Sequence, residues 1–231
     1  MKFPAPLVHG ILTKRHKRSL VEVKLENGEI VTAHNASFGH MTACSEIGRP
    51  VLLSENRDSG RRNPHTWEMI DMNGVLVGVN PGNARKAVLE AIAKKEIPLL
   101  RDHELQNEVS FGRGRKIDLI LEGMEHNCFV NIHNVTWAES GVAYFPDSVS
   151  PPAQQSLQGL ESIARQGHRA IALFVVQRSD CSQLKPAENV DKDFLKAILA
   201  AESAGVEMLV YRAAVTPEEV TLGTLIPYSS S

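Results

Sequence analysis

Three polar side chains stand in segments that otherwise read as apolar strands. Asp118 lies within "KIDLILE", and Asn131 and His133 lie two residues apart within "CFVNIHNVTW". Strand side chains alternate between faces, so Asn131 and His133 point one way while Val130 and Ile132 point the other. By the same alternation Asp118 shares a face with Ile120, and Ile117 shares the other with Leu119. A carboxylate among apolar neighbours is costly unless it is paired or bound to metal. An Asp on one strand, followed by two polar groups on the next, is the skeleton of a metal-dependent nuclease. In such sites carboxylates grip Mg2+ or Mn2+, and a cationic side chain offsets the charge that grows as a phosphodiester is cut. His133 can also serve as a general base, or join Asp118 around a softer metal. The plainer readings are an ion pair between Asp118 and an arginine, and a structural His133.

The elements that would carry these residues fall into two groups. In the first third, "LVEVKL" and "EIVTAH" flank a turn, "GRPVLLSE" follows, and "TWEMIDM" and "VLVGVN" flank Asn73-Gly74. Five short strands with tight turns predict a small OB-like barrel over residues 1–80. From "NPGNARKAVLEAIAKKEIP" onward helices and strands alternate, with Asn83 expected to cap the first helix and Pro98 to stop it. "EVSFG" and "KIDLILEG" read as a hairpin through "GRGR". "SPPAQQSLQGLESIARQG" reads as a helix opened by prolines and closed by Gly167, and "DKDFLKAILAAESAG" as another. "RAIALFVVQ" is apolar throughout, as expected of a strand covered on both faces. Residues 81–231 are therefore expected to form an α/β domain.

Composition narrows the function. Of 231 residues 42% are hydrophobic and 23% charged, with a formal net charge of -2, so any pull toward nucleic acid must come from a local patch. The longest apolar run, "AIALFVV", is too short to span a bilayer, and no membrane partner is expected. Cys44, Cys128 and Cys181 are far apart and form no CxxC pair, which fits a reducing cytoplasm better than a zinc ribbon.

Several segments carry a resemblance: "KFPAPLVHGILTKRHKR", "TWEMIDMNGVLVGVN", "GVAYFPDSV", "GHRAIALFVVQRSDC" and "AGVEMLVYRAAVTPEE". Together they resemble the sugar fermentation stimulation protein A (SfsA) family nearly end to end. The resemblance implies an α/β protein: an N-terminal OB-like β-barrel joined to a PD-(D/E)xK nuclease-like mixed sheet flanked by helices. It also implies DNA binding. The family motif asks for an Asp followed by Glu-x-Lys on the next strand. Asp118 matches the Asp, Asn131 stands at the Glu and His133 at the Lys. The exchange removes one metal-gripping carboxylate and one permanent cation together. With His133 neutral, the net charge of the trio is unchanged.

Other family positions differ as well. After "FPD" the family runs through an Arg-Gly-Gln-Lys-His-like stretch, of which Gln154 alone remains in "SPPAQQSL". The barrel's Thr-Gly-Ser-Met loop is "FGHM" here, Phe38 to Met41. The expectation is a degenerate nuclease site at Asp118, Asn131 and His133, with Gln154 beside it and Asp118 as a weak metal ligand. The alternative is an active Mg- or Mn-dependent endonuclease that borrows a carboxylate from Glu90 or Glu68. A third reading is a non-catalytic protein-interaction or scaffold role. Basic residues suited to phosphate contacts are Lys14, Arg15, Lys17 and Arg18, then Arg61 and Arg62, and Arg113 and Arg115. With 5% aromatic residues, extensive base stacking is not expected, and binding should be sequence-blind and salt-sensitive. Arg178 and Asp180 follow the apolar strand, as a site or as a mutual pair.

Overall fold

The computed structural model describes residues 1–230 other than 17–18, 38, 57–62, 108–109, 112–114 and 124–125; at 107, 110–111 and 115–116 it describes the backbone alone. The first half of the fold is a closed barrel of β1 (Val8–His16), β2 (Leu20–Leu25), β3 (Ile30–His34), β4 (Pro50–Glu55) and β5 (His65–Asp71). The strand order is β3-β2-β1-β4-β5, and a parallel β3–β5 pairing closes it. A short β6 (Leu76–Gly78) pairs with β5. β1 is the strand absent from the five expected. It spans "VHGILTKRH" and pairs with both β2 and β4, which a barrel needs and a lone hairpin does not. Leu12, Val21, Val23, Ala33, Leu53 and Trp67 fill the interior.

The second half begins with α1 (Pro81–Ala93) and continues through β7 (His103–Asn107), β8 (Ser110–Phe111), β9 (Arg115–Lys116), β10 (Leu119–Gly123) and β11 (Cys128–Val135). Then come β12 (Trp137–Glu139), β13 (Val142–Phe145), α2 (Pro151–Arg165), β14 (Arg169–Val176), β15 (Gln183–Pro186), α3 (Lys192–Ser203), β16 (Glu207–Val215) and β17 (Val220–Leu225). A mixed sheet of order β17-β16-β14-β11-β10-β7 forms the backbone of this half. β14 sits inside it, parallel to β11 and β16, and is buried from Ala170 to Val176, as an unbroken apolar run requires. α2 and α3 cover one face and α1 the other. The expected "EVSFG" hairpin is split. β7 pairs with β10 in the sheet, and β8 and β9 form a ribbon of their own; Gly112–Gly114 lie outside the described residues. β12, β13 and β15 make a separate three-stranded sheet. The first residues leave the barrel altogether: Phe3 donates to the Glu218 carbonyl, and Lys2 bridges to Glu219.

α1 is capped one turn earlier than expected. The side chain of Asn80, not Asn83, accepts the Gly82 N–H, and Pro81 occupies the first helical position, where no donor is needed. Asn83 instead turns inward to the barrel.

A second tie across the two halves comes from Asp147 of "FPD". Its Oδ2 accepts the Met41 N–H at 2.7 Å, and Arg15 holds the carbonyls of Gly39 and His40 from the other side. A methyl group on Gly39 would stand 2.4 Å from Asp147 Oδ1. Gly39→Ala is therefore expected to expel the carboxylate and cost about 1.5–3 kcal/mol, the worth of a charged hydrogen bond. A thermal melt unchanged from the parent protein would refute this.

Candidate functional site

Asp118 lies just ahead of β10, whose last ladder pair on that side is Leu119 with Val130. The chain bends there, and the strict alternation expected of a strand breaks. Ile117 packs with Ile120 on the α2/α3 side, whereas Leu119 and Leu121 pack on the α1 side. Where β10 and β11 part, side chains replace the ladder. The Asp118 N–H donates to Asn131 Oδ1 at 2.9 Å, and the Ile132 N–H donates to Asp118 Oδ2 at 2.8 Å. Half-buried backbone donors need partners, and these two residues supply each other's. Both functional groups are thereby committed to strand pairing.

From Asn131 a thread of polar contacts runs to His133. Asn131 Nδ2 donates to Ser156 Oγ at 2.6 Å, and Ser156 Oγ lies 3.5 Å from His133 Nε2. Ser156 was not among the expected site residues. Its signal is nevertheless in the sequence: it falls three residues after Ala153 and one before Leu157, beside the buried stripe of α2. His133 is 7% exposed. Its ring stacks on Phe174 at 4.9 Å between centroids and tilts against Phe145 at 5.3 Å. Burial pushes its pKa down to about 4, so the imidazole is neutral near pH 7 and cannot replace a lysine's charge.

The other expected site residues are elsewhere. Glu90 binds Lys94 at 2.7 Å and the N-terminal ammonium at 2.6 Å, contacts that lower its pKa to about 2. It borders Thr221–Gly223 of β17, four strands from β10, which is about 19 Å at ordinary strand spacing. It cannot join Asp118. Gln154 points to α3: its Nε2 donates to both oxygens of Asp191, the residue that also caps that helix. Glu68 is buried at the barrel seam, accepting from Ser54, Asn80 and Asn83. Arg178 and Asp180 pair with each other, and Arg178 also holds the Thr136 carbonyl.

Among the basic residues, Lys14 is exposed, while Arg15 is occupied by the Gly39 and His40 carbonyls. Lys17, Arg18, Arg61, Arg62 and Arg113 lie outside the described residues, as does the side chain of Arg115. The cysteines are free and buried. Burial raises Cys44 and Cys181 to about 11 and Cys128 to about 12, so none is a ready nucleophile.

A hard divalent ion asks for several available oxygens, carboxylates first. Here one Asp118 oxygen and the Asn131 oxygen already accept backbone N–H groups, and the His133 nitrogen turns toward Ser156. This donor set does not fit a resident Mg2+ or Mn2+. Among the described residues no group of three or more His, Cys, Asp or Glu is placed to hold a metal.

Residues 13–79 match the family model described as the SfsA N-terminal OB domain, and residues 82–219 match the sugar fermentation stimulation protein RE domain. The chain belongs to the SfsA family. A sugar fermentation stimulation protein homolog of Citrifermentans bemidjiense is 42% identical over 228 residues, covering 98% of this chain and 99% of the relative. That of Maricaulis maris is 40% identical over 225 residues, 96% of each chain. The structure of Pyrococcus furiosus SfsA in complex with Ca2+ superposes with a TM-score of 0.92 at 20% identity, covering 99% of this chain and 98% of that one. The SfsA architecture, an OB-like barrel joined to a mixed sheet with few helices, is thus the fold of this chain. Within this fold Ser156 links Asn131 and His133, touching each of them in turn. No helix among the described residues is long and apolar enough to cross a membrane.

Proposed function

We propose that this SfsA-family protein binds DNA through phosphate contacts at its barrel and does not cut it. The observation that carries this reading is the register around β3. Leu20, which closely follows the 14–18 basic run, pairs with His34. Ala33 and His34 pair with His65 and Thr66, which follow the 57–62 segment holding Arg61 and Arg62. Leu20 and His65, the described residues that follow these two basic stretches in sequence, therefore lie on either side of one strand end, two strand spacings or about 10 Å apart. Such a pair of basic stretches suits a sugar–phosphate backbone, whose recognition needs charge and no base readout. The lost acid–lysine pair argues against cleavage: Asp118 and Asn131 serve the backbone, and His133 is neutral and enclosed. A cytoplasmic setting fits the three unpaired thiols.

Fluorescence anisotropy with a labelled random-sequence duplex tests the reading. Binding should weaken steeply with salt, and Arg61→Gln with Arg62→Gln should lower affinity and reduce the salt slope by about 2. No binding at low salt would end the proposal. In parallel, supercoiled plasmid with Mg2+ or Mn2+ should stay intact; nicking that disappears in Asp118→Ala would restore the active-nuclease alternative. Because the Pyrococcus furiosus protein was solved with Ca2+, a Ca2+ thermal-shift titration belongs beside it, with no stabilisation expected here.

A further inference from the structure

Two clefts share one wall. The first, about 320 Å3, lies between barrel and sheet and is bordered by Ser37, Gly39, Asn134 and Ser148. The second, about 500 Å3, is bordered by Glu139, Lys185 and Glu188. Trp137 and Tyr144 line both. They are cross-strand partners on β12 and β13, their rings 5.2 Å apart and tilted by 40°, and both are half-buried. The indole is steadied by its own N–H, which donates to Glu139. A rigid aromatic pair with open space on either side differs from core packing, where ring faces are covered.

The first cleft is a poor place for a phosphate. The N-termini of α1 and α2 border it, but Pro81, Pro151 and Pro152 have no N–H to offer, and the Gly82 and Ala153 N–H groups are taken by Asn80 and Ser150. The carboxylate that the described residues place on its wall, Asp147, accepts from the Met41 N–H and the Ser148 hydroxyl and would repel an anion. What remains is an aromatic face with neutral hydrogen-bonding groups beside it, the chemistry that receives a flat heteroaromatic ring. Its size is within the range of small-ligand sites, about 300–1,000 Å3. The cleft also borders the barrel to which the phosphate contacts are assigned above. Ser37 lies three residues past His34 of β3, and Arg15 holds the loop that follows.

We infer that Trp137 and Tyr144 form a stacking wall for an unpaired nucleobase, so the preferred ligand is single-stranded nucleic acid. This rests on the proposed DNA binding and names the form of nucleic acid it favours. The phosphates stay on the barrel side, away from Glu139 and Glu188, and a base enters the first cleft. A duplex, whose bases are stacked and paired, cannot reach the wall without unstacking.

The chain offers a direct probe. Its two tryptophans are Trp67, fully buried, and Trp137. Short oligothymidylate should quench the emission, and a duplex of the same length should not. Trp137→Ala should abolish the quenching and weaken oligothymidylate binding about 5- to 150-fold, the worth of one base–aromatic stack. Trp137→Phe should retain most of the affinity, which separates stacking from misfolding. Absence of quenching by oligothymidylate, equal quenching by the duplex, or quenching that survives in Trp137→Ala would each overturn the inference. Duplex binding by anisotropy without oligothymidylate quenching would overturn it alone, leaving the barrel reading intact; no duplex binding at low salt defeats the barrel reading.

Discussion

Acidification from pH 6.5 to 4 is expected to cost this protein about 3 kcal/mol through His133 alone. The imidazole is enclosed by Phe145 and Phe174, with Ser156 as its polar neighbour, and Asp118 Oδ2 is turned to the Ile132 N–H. Nothing in that setting rewards a positive charge, and burial holds the folded pKa near 4. In the unfolded chain the same ring takes its proton at its ordinary value near 6.5. Between these limits the unfolded state binds more protons, so stability rises with pH. It is intact above 6.5 and is lost as the pH falls toward 4. His103, whose pKa burial also lowers, adds the same sign. Urea unfolding at pH 7 and pH 5 would measure the effect, with His133→Phe as the control. The parent should lose about 2 kcal/mol more than the variant across that interval. Parallel losses in both proteins would mean that His133 is not the group responsible.

Removing the carboxylate of Glu68 should be the most damaging single change at the seam. Glu68 is 5% exposed. Its Oε2 accepts from Asn80 Nδ2 at 2.9 Å and Asn83 Nδ2 at 2.6 Å, and its Oε1 accepts from Ser54 Oγ at 2.6 Å. Asn80 also caps α1, and its carbonyl accepts from Gln177 Nε2, which reaches on to Asn134 of β11. One side chain thus ties a barrel strand, the start of α1 and the central sheet. Glu68→Leu leaves three donors without their acceptor at the seam and should cost about 3–5 kcal/mol, lowering the melting temperature by roughly 10 °C. Glu68→Gln should cost far less, because its amide oxygen can face the two asparagines while the serine hydroxyl rotates to accept. Equal losses in the two variants would show that the negative charge, and not merely an acceptor oxygen, is what the position requires.

Much of the layout was readable from local patterns. Alternation and turn residues marked most of the barrel, and the continuous apolar run of "RAIALFVV" marked the strand buried on both faces. Val8–His16 escaped because a long strand shared by two neighbours carries charged residues, Lys14 and Arg15, that read as a basic run. The Asn131 and His133 faces followed from their spacing of two. The break at Asp118 did not, because strand alternation assumes a ladder that continues, and this one ends at Leu119.

What the linear order determined on its own was the element content and the shared direction of Asn131 and His133. The tertiary structure decided their use. It brought Ser156 from a helix onto Asn131, closed two phenylalanines around His133, drew Glu90, Glu68 and Gln154 off to other partners, and set Trp137 between two clefts. The physical reason is that periodicity in a chain specifies which side a group faces, whereas its charge state, its hydrogen-bond partner and its access to solvent depend on neighbours contributed by segments far away in sequence.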